Sequence, residues 1–112
     1  MIQSDLIRGH LDTIVLKLIQ EKDRYGYEIA SCIKERTNGA FLLKEATLYS
    51  ALNRLEKKDI IESYIGKKTH GKKRRYYKIT ALGKAYFKEK YTEWNAFKKI
   101  LETLLEEDHE TN

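Results

Sequence analysis

Between Ser63 and Lys78 the chain carries seven cationic side chains, Lys67, Lys68, Lys72, Lys73, Arg74, Arg75 and Lys78, and no Asp or Glu. Like charges packed together repel, and a solvated hairpin normally intersperses the two signs. Facing a row of phosphates is the chemistry that explains such a cluster. The competing explanation is a solubilising loop that keeps a hairpin edge from aggregating. What precedes the cluster decides between them. Leu48, Leu52 and Leu55 recur at i, i+4 and i+7, one face of a helix. On the open side fall Thr47, Ser50 and Asn53, short polar side chains of the kind that reach base edges in a major groove. Tyr49, near the boundary of that face, and Arg54 and Lys57 are placed to hold phosphates. An amphipathic helix with a wet face would look similar alone; followed at this distance by the basic stretch, it reads as a recognition helix.

Other chemistries find little support. Cys32 is the single cysteine, which excludes an internal disulfide and suits a reducing cytoplasm. Its spacing with Ile29 and Ile33 makes it a small core residue. His10, His70 and His109 are scattered, so no metal site is expected, and no cofactor. There is no phosphate-cradling glycine loop, no nucleophile with a base beside it and no carboxylate pair suited to a cleft, so the chain reads as a non-enzyme with no catalytic residue. No apolar run nears the ~20 residues of a membrane span. The opening residues lack the pattern of a signal peptide. A net charge of +5 in 112 residues agrees with a polyanionic partner without requiring one.

These residues need a scaffold. Ser4 or Asp5 is the expected cap of a first helix carrying Leu6, Ile7, Leu11, Ile14, Val15, Leu18 and Ile19 over a wide apolar arc. Tyr25-Gly26-Tyr27 opens a second helix, which Asn38-Gly39 ends. Phe41-Leu42-Leu43 is a short strand or a loop pinned to the core. The third helix runs from about Glu45 to Lys58. Ile60–Ile65 and Arg75–Ile79 alternate as strands, with 66–74 as the hairpin tip. Thr80 caps a last helix from about Ala81 to Glu107, roughly 40 Å long. The resulting class is mainly α (α+β): a winged helix-turn-helix domain over 1–80, a long C-terminal dimerisation helix over 81–107 and a frayed acidic tail over 108–112.

The last helix is too long for so small a domain to cover. Leu82, Tyr86, Tyr91, Trp94, Phe97, Leu101, Leu104 and Leu105 form its apolar stripe. Trp94, Phe97, Leu101 and Leu104 are therefore expected at a dimer interface, joined by Leu6 and Leu11 of the first helix, whose apolar arc is wider than one covered face requires. Trp94 beside Tyr91 and Phe97 is either plain seam or the wall of a pocket for a flat aromatic ligand between two subunits.

Three segments resemble the PadR family of bacterial regulators when taken in order: Tyr25-Gly26-Tyr27-Glu28-Ile29, Glu45-Ala46-Thr47-Leu48-Tyr49-Ser50-Ala51-Leu52-Asn53-Arg54-Leu55-Glu56, and Lys73-Arg74-Arg75-Tyr76-Tyr77-Lys78-Ile79-Thr80-Ala81-Leu82-Gly83. The single long C-terminal helix is similar to the short subfamily that includes a lactococcal multidrug-responsive repressor. The resemblance implies a homodimer, binding to a palindromic double-stranded operator, and repression of a neighbouring gene, often a transporter, relieved by a ligand. It further implies multidrug sensing by a planar aromatic effector at a dimer-centre site lined by Trp94, Tyr91, Asp12, Thr13 and Lys98. Lys98 stands where the drug-binding relative has an acid and would repel cationic drugs unless Asp12 neutralises it. Lys44-Glu45 stands where many members have Ser or Pro. Two rival readings remain: a winged helix that binds an acidic protein, and a DNA-binding repressor with no effector.

Overall fold

The computed structural model describes residues 9–69 and 71–106. Among the described residues seven elements follow one another: α1 (Leu11–Glu21), β1 (Arg24–Tyr25), α2 (Gly26–Arg36), α3 (Glu45–Lys57), β2 (Ile61–Thr69), β3 (Lys72–Ile79) and α4 (Ala81–Leu105). The order is the expected winged helix-turn-helix followed by a long helix, with the strands arranged β1-β3-β2, all antiparallel.

The core forms where α1, α2 and α3 bring their apolar stripes onto one face of this sheet. Val15, Leu16, Leu18 and Ile19 of α1, Ile29 and Ile33 of α2, and Leu48, Ala51, Leu52 and Leu55 of α3 are buried with Ile61, Tyr77 and Ile79 of the strands. Phe41 is buried in a loop, not a strand, which settles the open choice for that segment. Among the described residues the apolar arc of α1 packs inside the protomer, with Ile14 partly buried at its edge. Leu11, expected at a dimer interface, is only 4% exposed and belongs to this core. The helix also begins later than expected. Gly9 and His10 form a turn, and His10 is the N-cap; glycine weakens a helix interior, so the chain breaks there. Ser4, Asp5 and Leu6 lie outside the described residues, as do His70, His109 and the tail from Glu107.

Strand β1 is absent from the sequence expectation because two residues carry no readable period. Arg24 pairs with Tyr77 and Tyr25 with Tyr76. Arg24 is 8% exposed. Its Nε donates to the Leu18 carbonyl at 2.9 Å, closing the end of α1; Nη2 meets Glu21 at 3.0 Å and Nη1 the Cys32 sulfur at 3.3 Å. Glu21 also accepts from Arg36 at 2.7 and 3.0 Å. The Arg36 hydrogen bonds, ahead of those from Arg24, hold its carboxyl down at about 2. This junction ties α1, β1 and α2 together. Asn38 (φ 51°) and Gly39 (φ 78°) end α2 in left-handed backbone, with the Gly39 N–H on the Lys34 carbonyl at 2.8 Å.

The strands of the wing are longer than the period-2 pattern suggests and the tip correspondingly shorter. Pairing continues through Lys68 and Thr69 opposite Lys73 and Lys72, past an irregularity between Ile65 and Lys68. Exposed charge hides the alternation there, but backbone pairing does not need apolar side chains. At the start of α4 the Thr80 hydroxyl accepts from the Gly83 N–H at 3.0 Å.

Tyr86 and Phe87 are the last α4 side chains packed on the core. From Tyr91 onward the apolar side chains of the helix are exposed. Trp94 is 37% exposed, and Tyr91, Phe97, Ile100, Leu101, Leu104 and Leu105 are more so. The 25-residue helix is about 37 Å long and draws the molecule out to 65 × 30 × 21 Å. No helix among the described residues is long and apolar enough to cross a membrane.

Candidate nucleic-acid interface

Burial of Leu48, Ala51, Leu52 and Leu55 fixes the roll of α3 and turns Thr47, Ser50, Asn53, Arg54 and Lys57 to the exterior. Thr47, Ser50, Arg54 and Lys57 follow i, i+3, i+7 and i+10, so they lie along one face. Two of the expected residues differ from this simple picture. Tyr49 leans back on the helix-turn-helix, its hydroxyl so close over Gly26 that any Cβ there would overlap it. Arg54 is engaged: its Nη2 donates to Asp12 Oδ1 of α1 at 2.5 Å.

Strand alternation divides the wing cations between two faces. Arg75 lies on the α3 side, where its Nη1 donates to Ser63 Oγ at 3.0 Å and Ser63 in turn donates to Glu56 of α3 at 2.6 Å. This relay anchors the wing to α3. Lys72 and Lys73 are exposed near the tip. Arg74, expected beside them on phosphates, points to the opposite face. It is half-buried there with its guanidinium 4.9 Å from the centre of the Tyr25 ring. The same face carries a tyrosine stack: Tyr76 meets Tyr25 edge-on at 5.4 Å and Tyr64 face-on at 5.7 Å. Gly66 lets the Tyr76 ring lie against the strand, since a Cβ would overlap its edge. The Tyr64 hydroxyl donates to Asp23, and the carboxylate beside it pushes the phenol up to about 12. These contacts brace the wing from behind, a role that residue type alone does not distinguish from phosphate binding.

A second concavity lies where α1, α3 and α4 meet. Asp12, Thr13 and Trp94, all expected around a ligand, line a half-open groove of about 330 Å³ with His10, Arg54, Tyr86, Lys90, Glu93 and Phe97. Tyr91 does not line it but stacks on Phe87 at 5.7 Å. Lys98 stands outside as well, its Nζ 5.3 Å over the Trp94 ring. Lys90 and Glu93, 3.5 Å apart, were legible as neighbours of Trp94 on one helix face. The presence of Arg54, forty-two residues from Asp12, was not.

The family model for the transcriptional regulator PadR-like family matches residues 15–89, from the middle of α1 through the wing into α4. The chain belongs to the PadR-like family of transcriptional regulators. A curated protein of uncharacterised role from Lysinibacillus sphaericus is 57% identical over 106 residues, 95% of this chain and 97% of that protein. A transcriptional regulator from Clostridium thermocellum superposes with a TM-score of 0.85 at 46% identity, covering 95% of this chain and all of that one. A PadR-family regulator from Clostridium difficile gives 0.77 at 39% identity over 87% of this chain and 99% of its own. Bacillus subtilis PadR, solved in complex with operator DNA, shares the fold at a TM-score of 0.63 and 23% identity over 70% of this chain and 45% of that one. As a PadR-family protein the chain is a regulator of transcription and not an enzyme.

Proposed function

We propose that this regulator is a cytoplasmic homodimer that binds a palindromic operator and represses a neighbouring gene, a transporter in the reading implied by the family resemblance, until a small planar aromatic ligand relieves it. The observation that carries the DNA-binding part is the exposed face of Thr47, Ser50, Asn53 and Lys57 on α3, joined through Glu56, Ser63 and Arg75 to an acid-free basic hairpin. Polar side chains of α3 read base edges, and Lys72, Lys73 and Arg75 hold phosphates. Operator DNA bound to the related B. subtilis fold supports the same use here.

Dimerisation rests on the exposed stripe of Trp94, Phe97, Leu101 and Leu104, whose 3-4-3 spacing is that of a helix–helix seam. Two protomers would set their α3 helices about one turn of DNA, ~34 Å, apart. The groove beside Trp94 adjoins this seam, so an aromatic ligand there can favour one separation over another, provided it binds the two conformations unequally.

The test is fluorescence anisotropy with a duplex selected from a random library, over a series of salt concentrations. The expected result is preference for a palindrome and affinity falling steeply with salt. Indifference to duplex, with capture of an acidic protein instead, would replace this reading by that of a protein-binding winged helix.

A further inference from the structure

Asp12 of α1 holds Arg54 of α3, its Oδ1 accepting from Nη2 at 2.5 Å. Among the described residues this is the single salt bridge that engages a cation of α3 or of the wing. The exposed Lys57, Lys72, Lys73 and Arg75 have no such partner among those residues. Arg54 lies one helical turn from both Ser50 and Lys57, on the face of α3 read as DNA-binding. One cation of that face is therefore already spoken for by a carboxylate from another helix.

A carboxylate and a phosphate offer a guanidinium the same thing, paired anionic oxygens that match its planar fork of N–H donors. The two compete for Arg54. A buttress, in which Asp12 orients Arg54 while its other donors take the phosphate, is the opposite arrangement. Charge argues against the buttress. A guanidinium neutralised by Asp12 attracts a phosphate weakly, and the carboxylate beside it repels that phosphate over almost the same distance. The pair is also easily exchanged. Its side chains are 45% and 23% exposed, so solvent screens the attraction between them. Neutralising a phosphate, by contrast, releases counterions condensed on the duplex. The phosphate prevails, and breaking the pair is deducted from the affinity.

We propose that Asp12 is an intramolecular stand-in for phosphate: it occupies Arg54 in the free protein and yields it to the duplex backbone on binding. This rests on the DNA-binding reading above and adds a residue that sets the strength of that binding. Asp12 acts through Arg54 and not on DNA itself. It lowers affinity for every duplex alike, because a phosphate contact carries no sequence information.

The experiment is a double-mutant cycle on the full chain: wild type, Asp12→Asn, Arg54→Gln and the two combined. Anisotropy measures affinity for a selected and a random duplex over a series of salt concentrations. Asp12→Asn is expected to bind both duplexes about fivefold more tightly for each protomer in contact. Arg54→Gln should weaken binding and reduce the slope of log K against log salt by about 0.9 for each phosphate no longer neutralised. With Arg54→Gln already in place, Asp12→Asn should change affinity by less than about twofold. Circular dichroism and sedimentation velocity verify the fold and assembly of each variant. If Asn disturbs the first turn of α1, Asp12→Ala repeats the measurement with a strong helix former there. Weaker binding by Asp12→Asn than by wild type reveals a buttress and overturns the competition. An equal gain with Arg54→Gln in place makes Asp12 a mere neighbouring charge and overturns it too, as does an Arg54→Gln protein with wild-type affinity and slope. Absence of duplex binding by the wild type sinks the DNA-binding reading and the competition together, whereas wild-type binding that Asp12→Asn leaves unchanged sinks the competition alone.

Discussion

Gly83 lies directly against the backbone carbonyl of Ile60, where a Cβ would overlap the oxygen and crowd the Ile79 side chain. Thr80 fixes this approach. Its hydroxyl accepts from the Gly83 N–H and lies 2.7 and 2.9 Å from the carbonyls of Asp59 and Ile60. The Thr-Ala-Leu-Gly sequence thus sets the angle at which α4 departs from the sheet. Gly83→Ala must push α4 away from a backbone that cannot yield as a side chain would. Overpacking of this kind costs about 1–3 kcal/mol, expected as a lower urea midpoint with an unchanged m-value.

Arg24 closes α1 from the side. Arg24→Ala leaves the Leu18 carbonyl without its donor and removes one partner from Glu21. A loss of about 2–4 kcal/mol is expected, read from chemical denaturation. Arg36→Ala, at an exposed partner of the same carboxylate, should cost well under half of that.

The pH dependence follows from Glu21. Its folded-state pKa, about 2, lies below the ordinary value of 4.5. The contribution to stability is therefore present above about pH 4.5 and is lost as pH falls toward 2. Glu21→Gln should flatten the stability profile in that window and leave the profile above about pH 6 parallel to wild type, as followed by circular dichroism during urea titration.

On DNA, cations and polar side chains should separate cleanly. Lys72→Ala with Lys73→Ala should weaken binding to all duplexes alike and reduce the slope of log K against log salt by about 0.9 for each phosphate no longer neutralised. Asn53→Ala should leave the slope unchanged and reduce discrimination between operator and random duplex by about 1–3 kcal/mol if the side chain reads a base. Competition anisotropy at several salt concentrations measures both.

Leu101→Glu places a carboxylate in the middle of the exposed α4 stripe. The domain core, which this residue does not enter, should keep its helical signal, while sedimentation velocity should show a shift to monomer because an unpaired charge in an apolar seam is costly. A wild-type chain that sediments as a monomer at tens of micromolar would already refute the dimer.

The long helices and the hairpin were legible because their apolar residues recur over many positions, and a long period averages out single exceptions. Leu48, Leu52 and Leu55 identified the inner face of α3 without any coordinate. The two-residue strand β1 offered no period at all, and the turn at Gly9-His10 was masked by apolar residues that continue across it. The wing was read too short for a related reason: Lys72 and Lys73 pair in the ladder through backbone atoms, and their side chains carry no sign of it.

Composition and local spacing alone determined the order of the helices and the hairpin, the buried face of α3, the acid-free basic hairpin tip and the surplus length of α4. Those properties depend on residues a few positions apart, whose relation is set by the helix or strand itself. Tertiary structure decided which of the apolar, basic and polar residues are free. Leu11 went inward, Arg74 turned onto Tyr25, and Arg54 met Asp12 across forty-two positions. Each outcome depends on how whole elements pack against one another, and that geometry is fixed only when the core closes.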